Sequence, residues 1–114
     1  MRRIEGEQVL MRIFIGQTDR WERKPLYSAL VELFRSRGLA GATVIQGVAG
    51  LGPDSIVHEF HLLRLSQDLP IVIEVVDSQE HIDSVLAEVD RMMSGGLITM
   101  EKVRVIYYDR GAKT

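Results

Sequence analysis

The chain has 114 residues, of which 46% are hydrophobic, and this indicates one globular domain with a substantial core. Its 14 Lys and Arg against 16 Asp and Glu give a formal charge of −2, which argues against a nucleic-acid partner because phosphate contacts favour a basic surface. The absence of cysteine excludes disulfides and thiolate chemistry, and the absence of a long apolar run or an apolar N-terminus predicts a cytoplasmic protein.

The first half of the chain predicts a strand, a helix and a second strand. Residues 9–15 are apolar apart from Arg12 and are rich in β-branched and aromatic side chains, as in a buried strand. Pro25 suits the first turn of a helix whose leucines repeat at helical spacing, and Gly38 suits its C-terminal stop. A second strand is predicted over residues 42–48, where threonine, valine and isoleucine are adjacent.

The second half predicts three further elements with extended or helical patterns. Residues 56–65 resume an extended pattern after a glycine-rich loop, and residues 69–76 are the most apolar segment and the best candidate for a central strand. Residues 97–108 read as the last strand, with a kink expected near residues 99–101. The polar tail that follows is expected to be loose.

The segment between the last two predicted strands has the pattern of an amphipathic helix. Asp77 stands three residues before Glu80, which resembles a capping box at a helix start. Apolar residues then recur at helical spacing as far as Met93. Gly95 and Gly96 are expected to end this helix.

The element order β-α-β-β-α-β predicts an α+β fold, the ferredoxin-like sandwich of one antiparallel sheet with two helices on one face. We expect a single domain over residues 1–114, with its core at about residues 9–108 and loose termini. The strands carry more apolar side chains than one sheet face can cover. The bare face is therefore expected to pack against another subunit.

Few titratable residues in the sequence have the spacing of a catalytic or metal site. His58 and His61 are three apart in an extended segment, so they point to opposite faces, and His81 lies in the first turn of a helix. We interpret all three as solvated or structural rather than as metal ligands. Glu74 is alone in a very apolar strand, and it is either a carboxylate with a partner at the core rim or the edge of a binding pocket.

A loop with Gly47, Gly50 and Gly52 is the strongest local feature of the sequence. Glycine lacks a Cβ atom, so the backbone N–H groups of such a loop can approach a phosphate closely. The loop is not a dinucleotide fingerprint, because Pro53 and another strand follow where a helix should begin. A hairpin connection without a ligand is the alternative interpretation.

A second group of candidate residues lies near the C-terminus. Gly95 and Gly96 can present backbone amides to a ligand in addition to ending a helix. Lys102 and Arg104 are two apart in the last strand, so both side chains emerge on one face. Arginine suits bidentate contact with a phosphate, although the pair can equally be a solvated rim.

Several stretches together resemble the PII-like family called domain of unknown function one-ninety, over about residues 9–108. The matching stretches are 12–19, 24–27, 38–44, 47–52, 65–66, 68–70, 73–77, 96–99 and 103–106. The resemblance implies a ferredoxin-like fold and a homotrimer with its sheets packed inward. It also implies that adenine nucleotides bind in clefts between subunits, beneath a long mobile loop that docks on partner proteins.

The resemblance implies positions for a nucleotide site as well. Gly41-Ala42-Thr43 is similar to the Gly-Met-Thr of PII proteins, which places Thr43 near the adenine. Gly50-Leu51-Gly52 is similar to the Gly-Phe-Gly that begins the mobile loop, and Gly95-Gly96 falls in the loop that cradles phosphate. Leu97 replaces the lysine that PII proteins place after that loop, so AMP or ADP is the expected ligand. The residues predicted to bind the nucleotide are Thr43, Gly47, Ala49, Gly50, Leu51, Gly52, Gly95, Gly96 and Arg104.

These observations predict a PII-like signalling protein rather than an enzyme, with no metal and no required cofactor. It is expected to bind AMP or ADP between subunits and to regulate a partner, by family analogy a membrane transporter or channel, through residues 47–61. Two alternatives stay open. One is a small enzyme that hydrolyses a nucleotide or an acyl phosphate with His58 or His61 as base, and the other is a structural trimer that binds a metal.

Overall fold

The computed structural model describes residues 3–50 and 68–109. The elements in chain order are β1 (Arg3–Gly16), β2 (Arg20–Trp21), β3 (Lys24–Pro25), α1 (Leu26–Ser36), β4 (Thr43–Gln46), β5 (Pro70–Asp77), α2 (Gln79–Met92) and β6 (Leu97–Asp109). The strand expected over residues 56–65, with His58 and His61, lies outside the described residues, as do the candidate binding residues Leu51 and Gly52.

The main sheet has the strand order β4-β5-β1-β6, and every neighbouring pair in it is antiparallel. The predicted central position of the apolar segment is confirmed, because β5 lies between β4 and β1. Burial alternates along β5, with Ile71, Ile73 and Val75 buried on one face and the residues between them half-buried on the other. The α+β sandwich predicted from the element order is therefore confirmed.

Both helices pack on the same face of this sheet. Their buried stripes, including Leu30 and Phe34 of α1 and Ile82 and Val85 of α2, form one cluster with the inward side chains of β1 and β5. Each such side chain removed from water contributes about 1.5–3 kcal/mol to the stability of the fold. The opposite sheet face is not covered by any element of residues 3–50 or 68–109.

Helix α1 was predicted over about residues 25–37 and is one residue shorter at each end. Pro25 is the N-cap residue and not the first helical residue, and the N–H of Leu26 donates to the carbonyl of Asp19 at 2.8 Å. At the other end Gly38 has a φ of +75°, and its N–H donates to the carbonyl of Arg35 at 3.2 Å. The predicted glycine stop is confirmed, because an L side chain rarely adopts this backbone conformation.

Helix α2 has a different cap from the predicted capping box. The N-cap residue is Ser78, whose Oγ accepts a hydrogen bond from the N–H of His81 at 3.2 Å. Asp77 instead ends β5 and is fully buried. The cap lies one residue later than the sequence pattern predicts, since aspartate and serine are both good N-cap residues and they are adjacent here.

The turn after α2 also differs from the prediction. Met93 is already extended and closes the helix, so Gly95 and Gly96 form the connection to β6 rather than the helix stop. Gly96 has a φ of +113°, and a Cβ atom there would lie 2.6 Å from the carbonyl oxygen of Phe14. This close passage beside β1 requires glycine at position 96.

A two-stranded hairpin, β2 with β3, was not predicted from the polar stretch before α1. Arg20 pairs with Pro25 and Trp21 with Lys24, and Glu22 in the turn has a φ of 55°. Strands of two residues show no alternation of apolar and polar side chains, so the sequence carries no signal for them. The hairpin places Trp21 against the core, where it packs on the buried cluster.

The ends of β1 and β6 form a separate two-stranded ribbon, which we call the terminal arm and define as residues 3–8 and 103–109. The pairing of β1 with β5 covers Val9–Gly16, so the terminal arm continues beyond the end of β5. A register shift in the arm places Ile106 and Tyr107 opposite Glu5. The kink expected at residues 99–101 is wrong, because the pairing there is regular.

Candidate functional site

The sheet face opposite the helices, which we call the open face, carries a broad apolar surface. The two central strands contribute Phe14, Val72 and Val76, which are half-buried, and Leu10, which is buried, as the pairing register of β1 and β5 requires. Ile45 on β4 and Leu97 on β6 extend it to both edges and are 44% and 55% exposed. Apolar side chains exposed on an uncovered sheet face indicate an interaction surface.

A row of charged side chains crosses the middle of the open face. The Nε of Arg12 donates to Glu74 at 2.9 Å, and its Nη1 lies 3.4 Å from Glu101. The hydrogen bond to Glu74 is the main cause that raises the pKa of Arg12 above its ordinary value, and the negative charges of both carboxylates add to it. A raised pKa favours the charged guanidinium, so Arg12 stays protonated at mildly alkaline pH.

A groove with a volume of about 480 Å³ lies between the terminal arm and the start of β4. Ile4, Val105, Tyr107 and Tyr108 of the arm line one side. The segment from Ala40 to Thr43, which we call the rim, lines the other, and Glu74 and Val76 of β5 lie between them. Glu74 has the expected partner, Arg12, and it also borders this groove.

The backbone N–H and the backbone carbonyl of Ala40 both hold the rim in place. The N–H of Ala40 donates to the Oδ2 of Asp77 at 2.8 Å, and its carbonyl accepts a hydrogen bond from the hydroxyl of Tyr108 at 2.7 Å. The other carboxylate oxygen of Asp77 accepts from the N–H of Ser78 at 2.7 Å. Neither Asp77 nor Tyr108 was predicted as a site residue, since their partner lies 37 and 68 positions away in the chain.

Thr43 is the predicted binding residue that lines the groove. It pairs with Glu74 across β4 and β5, so the hydroxyl-bearing side chain and the carboxylate share the open face. The groove therefore combines aliphatic and tyrosine side chains with a hydroxyl, a carboxylate and the backbone of the rim. Such a lining suits a flat apolar ring whose edge donates and accepts hydrogen bonds.

Close packing against Pro70 explains why Gly47 and Gly50 of the predicted loop lack a side chain. A Cβ atom at Gly47 or Gly50 would lie 2.7 Å or 2.9 Å from the Cγ of Pro70. The N–H of Gly47 also donates to the carbonyl of Pro70 at 2.7 Å. The chain thus leaves β4 in close contact with the start of β5, and Ala49 is exposed in the bend between the two glycines.

The remaining predicted residues lie at the other edge of the sheet. Gly95 and Gly96 precede β6, which is separated from β4 by two strands, a distance of roughly 14 Å at the usual strand spacing. Arg104 is exposed and pairs with Glu7, roughly 26 Å along β6 from Gly96. In the described part of one chain, the residues predicted to bind the nucleotide therefore lie partly in the groove and partly at the two edges of the sheet. They do not come together in one site.

His81 has a structural environment at the start of α2. Its Nδ1 lies 2.8 Å from the Oγ of Ser78 and 3.6 Å from the Oδ1 of Asp77. A hydrolytic triad needs the two ring nitrogens to face different partners, whereas here both contacts are to the same nitrogen. Residues 3–50 and 68–109 contain no group of three or more potential ligands placed to hold a metal ion, and no helix among them is long and apolar enough to cross a membrane.

Comparison with known proteins identifies relatives along nearly the whole chain. The profile of the DUF190 family, described as Uncharacterized ACR, matches residues 8–105. A UPF0166 protein of Aquifex aeolicus (strain VF5) is 41% identical over 98 residues, which cover 86% of this chain and 92% of that protein. A UPF0166 protein of Methanocaldococcus jannaschii is 32% identical over 97 residues, with coverage of 84% and 89%.

Solved structures with the same fold are PII-like proteins. CPII, described as a nitrogen regulatory PII-like protein from Thiomonas intermedia K12 bound to ADP, AMP and bicarbonate, superposes with a TM-score of 0.67 at 16% identity over 91% of both chains. A protein of Thermus thermophilus, described as a PII-like signaling protein, superposes with a TM-score of 0.64 at 19% identity. The superposition covers 93% of this chain and 94% of that chain. These likenesses show that the chain has the PII-like fold.

Proposed function

The chain belongs to the DUF190 family, and we propose that it is a PII-like signalling protein that binds AMP or ADP between the subunits of a homotrimer. The bound phosphate engages backbone N–H groups of residues 47–52 and Gly95-Gly96, together with Arg104. Occupancy is transmitted through residues 47–61, and this creates or hides a surface for a partner protein. The partner is a membrane transporter or channel, no bond of the ligand is broken, and no metal or further cofactor is required.

The observation that carries this proposal is the placement of the candidate residues around the open face. The groove with Thr43 opens near the end of β5, whereas Gly47 and Gly50 lie at the opposite end of that strand. The remaining candidates, Gly95, Gly96 and Arg104, belong to the other edge of the sheet, so two copies standing side by side would bring more of these groups within reach of one ligand. Packing the apolar open faces of several copies together would supply that arrangement and would bury the exposed side chains of the sheet.

The chemistry of the groove supports an adenine base. The tyrosine and aliphatic side chains of the groove offer apolar contact to the ring, and the Thr43 hydroxyl and rim backbone offer polar contact to its edge. The CPII structure with the same fold was obtained with ADP and AMP. Because the lysine after Gly96 is replaced by Leu97, a ligand with few phosphates matches the charge that the chain provides.

The direct test is isothermal titration of the purified chain with AMP, ADP, ATP and cyclic dinucleotides, each with and without bicarbonate. We expect saturable heat with AMP or ADP and weaker binding of ATP. The absence of heat with every nucleotide would refute the proposal. Analysis of the same mixtures for hydrolysis products separates a sensor from a hydrolase, since turnover would favour the enzyme alternative.

Replacement of Thr43 tests whether the groove holds the base. Thr43→Val keeps the shape of the side chain and removes its hydroxyl, so we expect the affinity for AMP to fall about 2- to 12-fold, as for the loss of one neutral hydrogen bond. Thr43→Ser restores the hydroxyl and is expected to restore most of the affinity. Equal affinity of the valine variant and the unmodified chain would exclude the groove as the base site.

A further inference from the structure

One side of the groove belongs to the terminal arm, whose two segments pair with each other beyond the end of β5. The terminal arm is a two-stranded ribbon, and among the described strands its two segments pair with each other and not with β5. Isolated two-stranded ribbons are marginally stable in water. The arm also contains a register shift, and Gly6 has a φ of +82° beside it, so its pairing is less regular than that of the central sheet.

The arm nevertheless contacts the rim. The hydroxyl of Tyr108 donates to the carbonyl of Ala40 at 2.7 Å, which joins the end of the arm to the opposite side of the groove. Ile4 is only 5% exposed, so the arm also inserts an apolar side chain at this end of the molecule. The rim has an anchor independent of the arm, because the N–H of Ala40 donates to the buried carboxylate of Asp77.

We propose that the terminal arm is a strap that closes on the nucleotide in the groove, and that the hydrogen bond from Tyr108 to Ala40 is its latch. The inference rests on the proposed function and adds a moving part to it. Tyr108 acts as a positioning residue, since it holds the arm against the fixed rim. In the open state the latch is broken, and Val105, Tyr107 and Tyr108 swing away from β5 as one unit.

Closure follows from the way the groove is built. A ligand there touches the arm on one side and the rim with Glu74 on the other, so it gains its full set of contacts only in the closed state. A ligand that binds one of two states better shifts the population toward that state, and the closed state in turn binds the ligand better. Nucleotide binding and arm closure are therefore linked in both directions.

Hydrogen exchange measured by mass spectrometry on the full chain tests the strap. Tyr108→Phe removes the latch hydroxyl and keeps the ring, and Tyr27→Phe is the matched control because it makes the same change on α1, outside the groove. Without nucleotide, Tyr108→Phe is expected to speed exchange in residues 3–8 and 103–109 about 2- to 12-fold, as for one lost hydrogen bond. Tyr27→Phe is expected to leave these rates unchanged, and the amides of α2 serve as an internal measure that each variant is folded.

Titration of the same proteins with AMP and ADP completes the test. We expect nucleotide to slow exchange of the arm in the unmodified chain and Tyr108→Phe to raise the dissociation constant about 2- to 12-fold. Unchanged exchange and unchanged affinity in Tyr108→Phe would overturn the strap while leaving the proposed function intact. Failure of the unmodified chain to bind any adenine nucleotide would refute the proposed function, and the latch would then be judged by arm exchange alone.

Discussion

Asp77 shows how a single buried carboxylate organises this end of the molecule. It is fully buried, and its two oxygens accept hydrogen bonds from the backbone of Ala40 and of Ser78. These contacts join the connection after α1 to the start of α2. Because Ala40 begins the rim, the position of one groove side depends on a residue that does not itself line the groove.

Substitution of this carboxylate is expected to destabilise the fold. Asp77→Asn places an NH₂ group against a backbone donor, and the free energy of unfolding should fall by about 1–3 kcal/mol because one buried N–H loses its acceptor. Urea denaturation at fixed protein concentration measures the change. Asp90→Asn on the exposed surface of α2 makes the same chemical change and should stay within about 0.5 kcal/mol of the unmodified chain. Equal loss in both variants would contradict the role assigned to Asp77.

At the scale of elements, the two glycines before β6 differ in what the fold requires of them. The fold requires glycine at position 96, whereas it leaves space for a side chain at position 95. Gly96 passes beside the carbonyl of Phe14 with a φ of +113°, whereas a Cβ atom at Gly95 would meet nothing within 4 Å. The two positions are adjacent and belong to the same predicted phosphate loop. A substitution at Gly95 therefore reports on the ligand without disturbing the turn.

Alanine substitutions at the two positions are expected to have different effects on stability and on AMP binding. Gly96→Ala should lower the free energy of unfolding by about 2 kcal/mol or more, since the backbone conformation and the Phe14 carbonyl both reject a Cβ atom. Gly95→Ala should leave stability within about 0.5 kcal/mol and weaken AMP binding, because a methyl group obstructs the approach of phosphate to the amides. Unchanged affinity in Gly95→Ala would remove this loop from the proposed site.

At the scale of the whole molecule, the open face determines what the chain can assemble with. Its apolar residues surround the row formed by Arg12, Glu74 and Glu101, which carries a net negative charge. Glu74 belongs both to this row and to the groove lining. An assembly through the open face would therefore place the groove beside the subunit boundary.

Light scattering with a charge placed on the open face tests the assembly. We expect the unmodified chain to have three times the mass of one chain, and Val72→Lys to dissociate because a buried ammonium lacks a partner among apolar side chains. Ser84→Lys adds the same charge on the exposed surface of α2 and should leave the mass unchanged. A measured mass equal to that of one chain would refute the trimer. An assembly that stays intact in Val72→Lys would exclude the open face as its interface.

The amino-acid sequence by itself determined the parts of the fold that depend on local pattern. The apolar segment that became β5, the helical spacing of leucines in α1 and the glycine stop at Gly38 were all correctly predicted. Each of these signals comes from residues within one element, where periodicity and backbone preference act over a few positions. The resemblance to PII-like proteins rested only partly on these elements, through stretches that include residues 38–44 and 73–77.

The tertiary structure alone decided how the candidate site is arranged. The latch from Tyr108 to Ala40, the carboxylate of Asp77 on the same residue and the contact of Gly47 with Pro70 join positions far apart in the chain. The sequence pattern made Asp77 a helix cap, because it shows residue types and not their distant neighbours. Side chains acquire these partners only when the sheet brings its strand ends together, and that step depends on packing rather than on local preference.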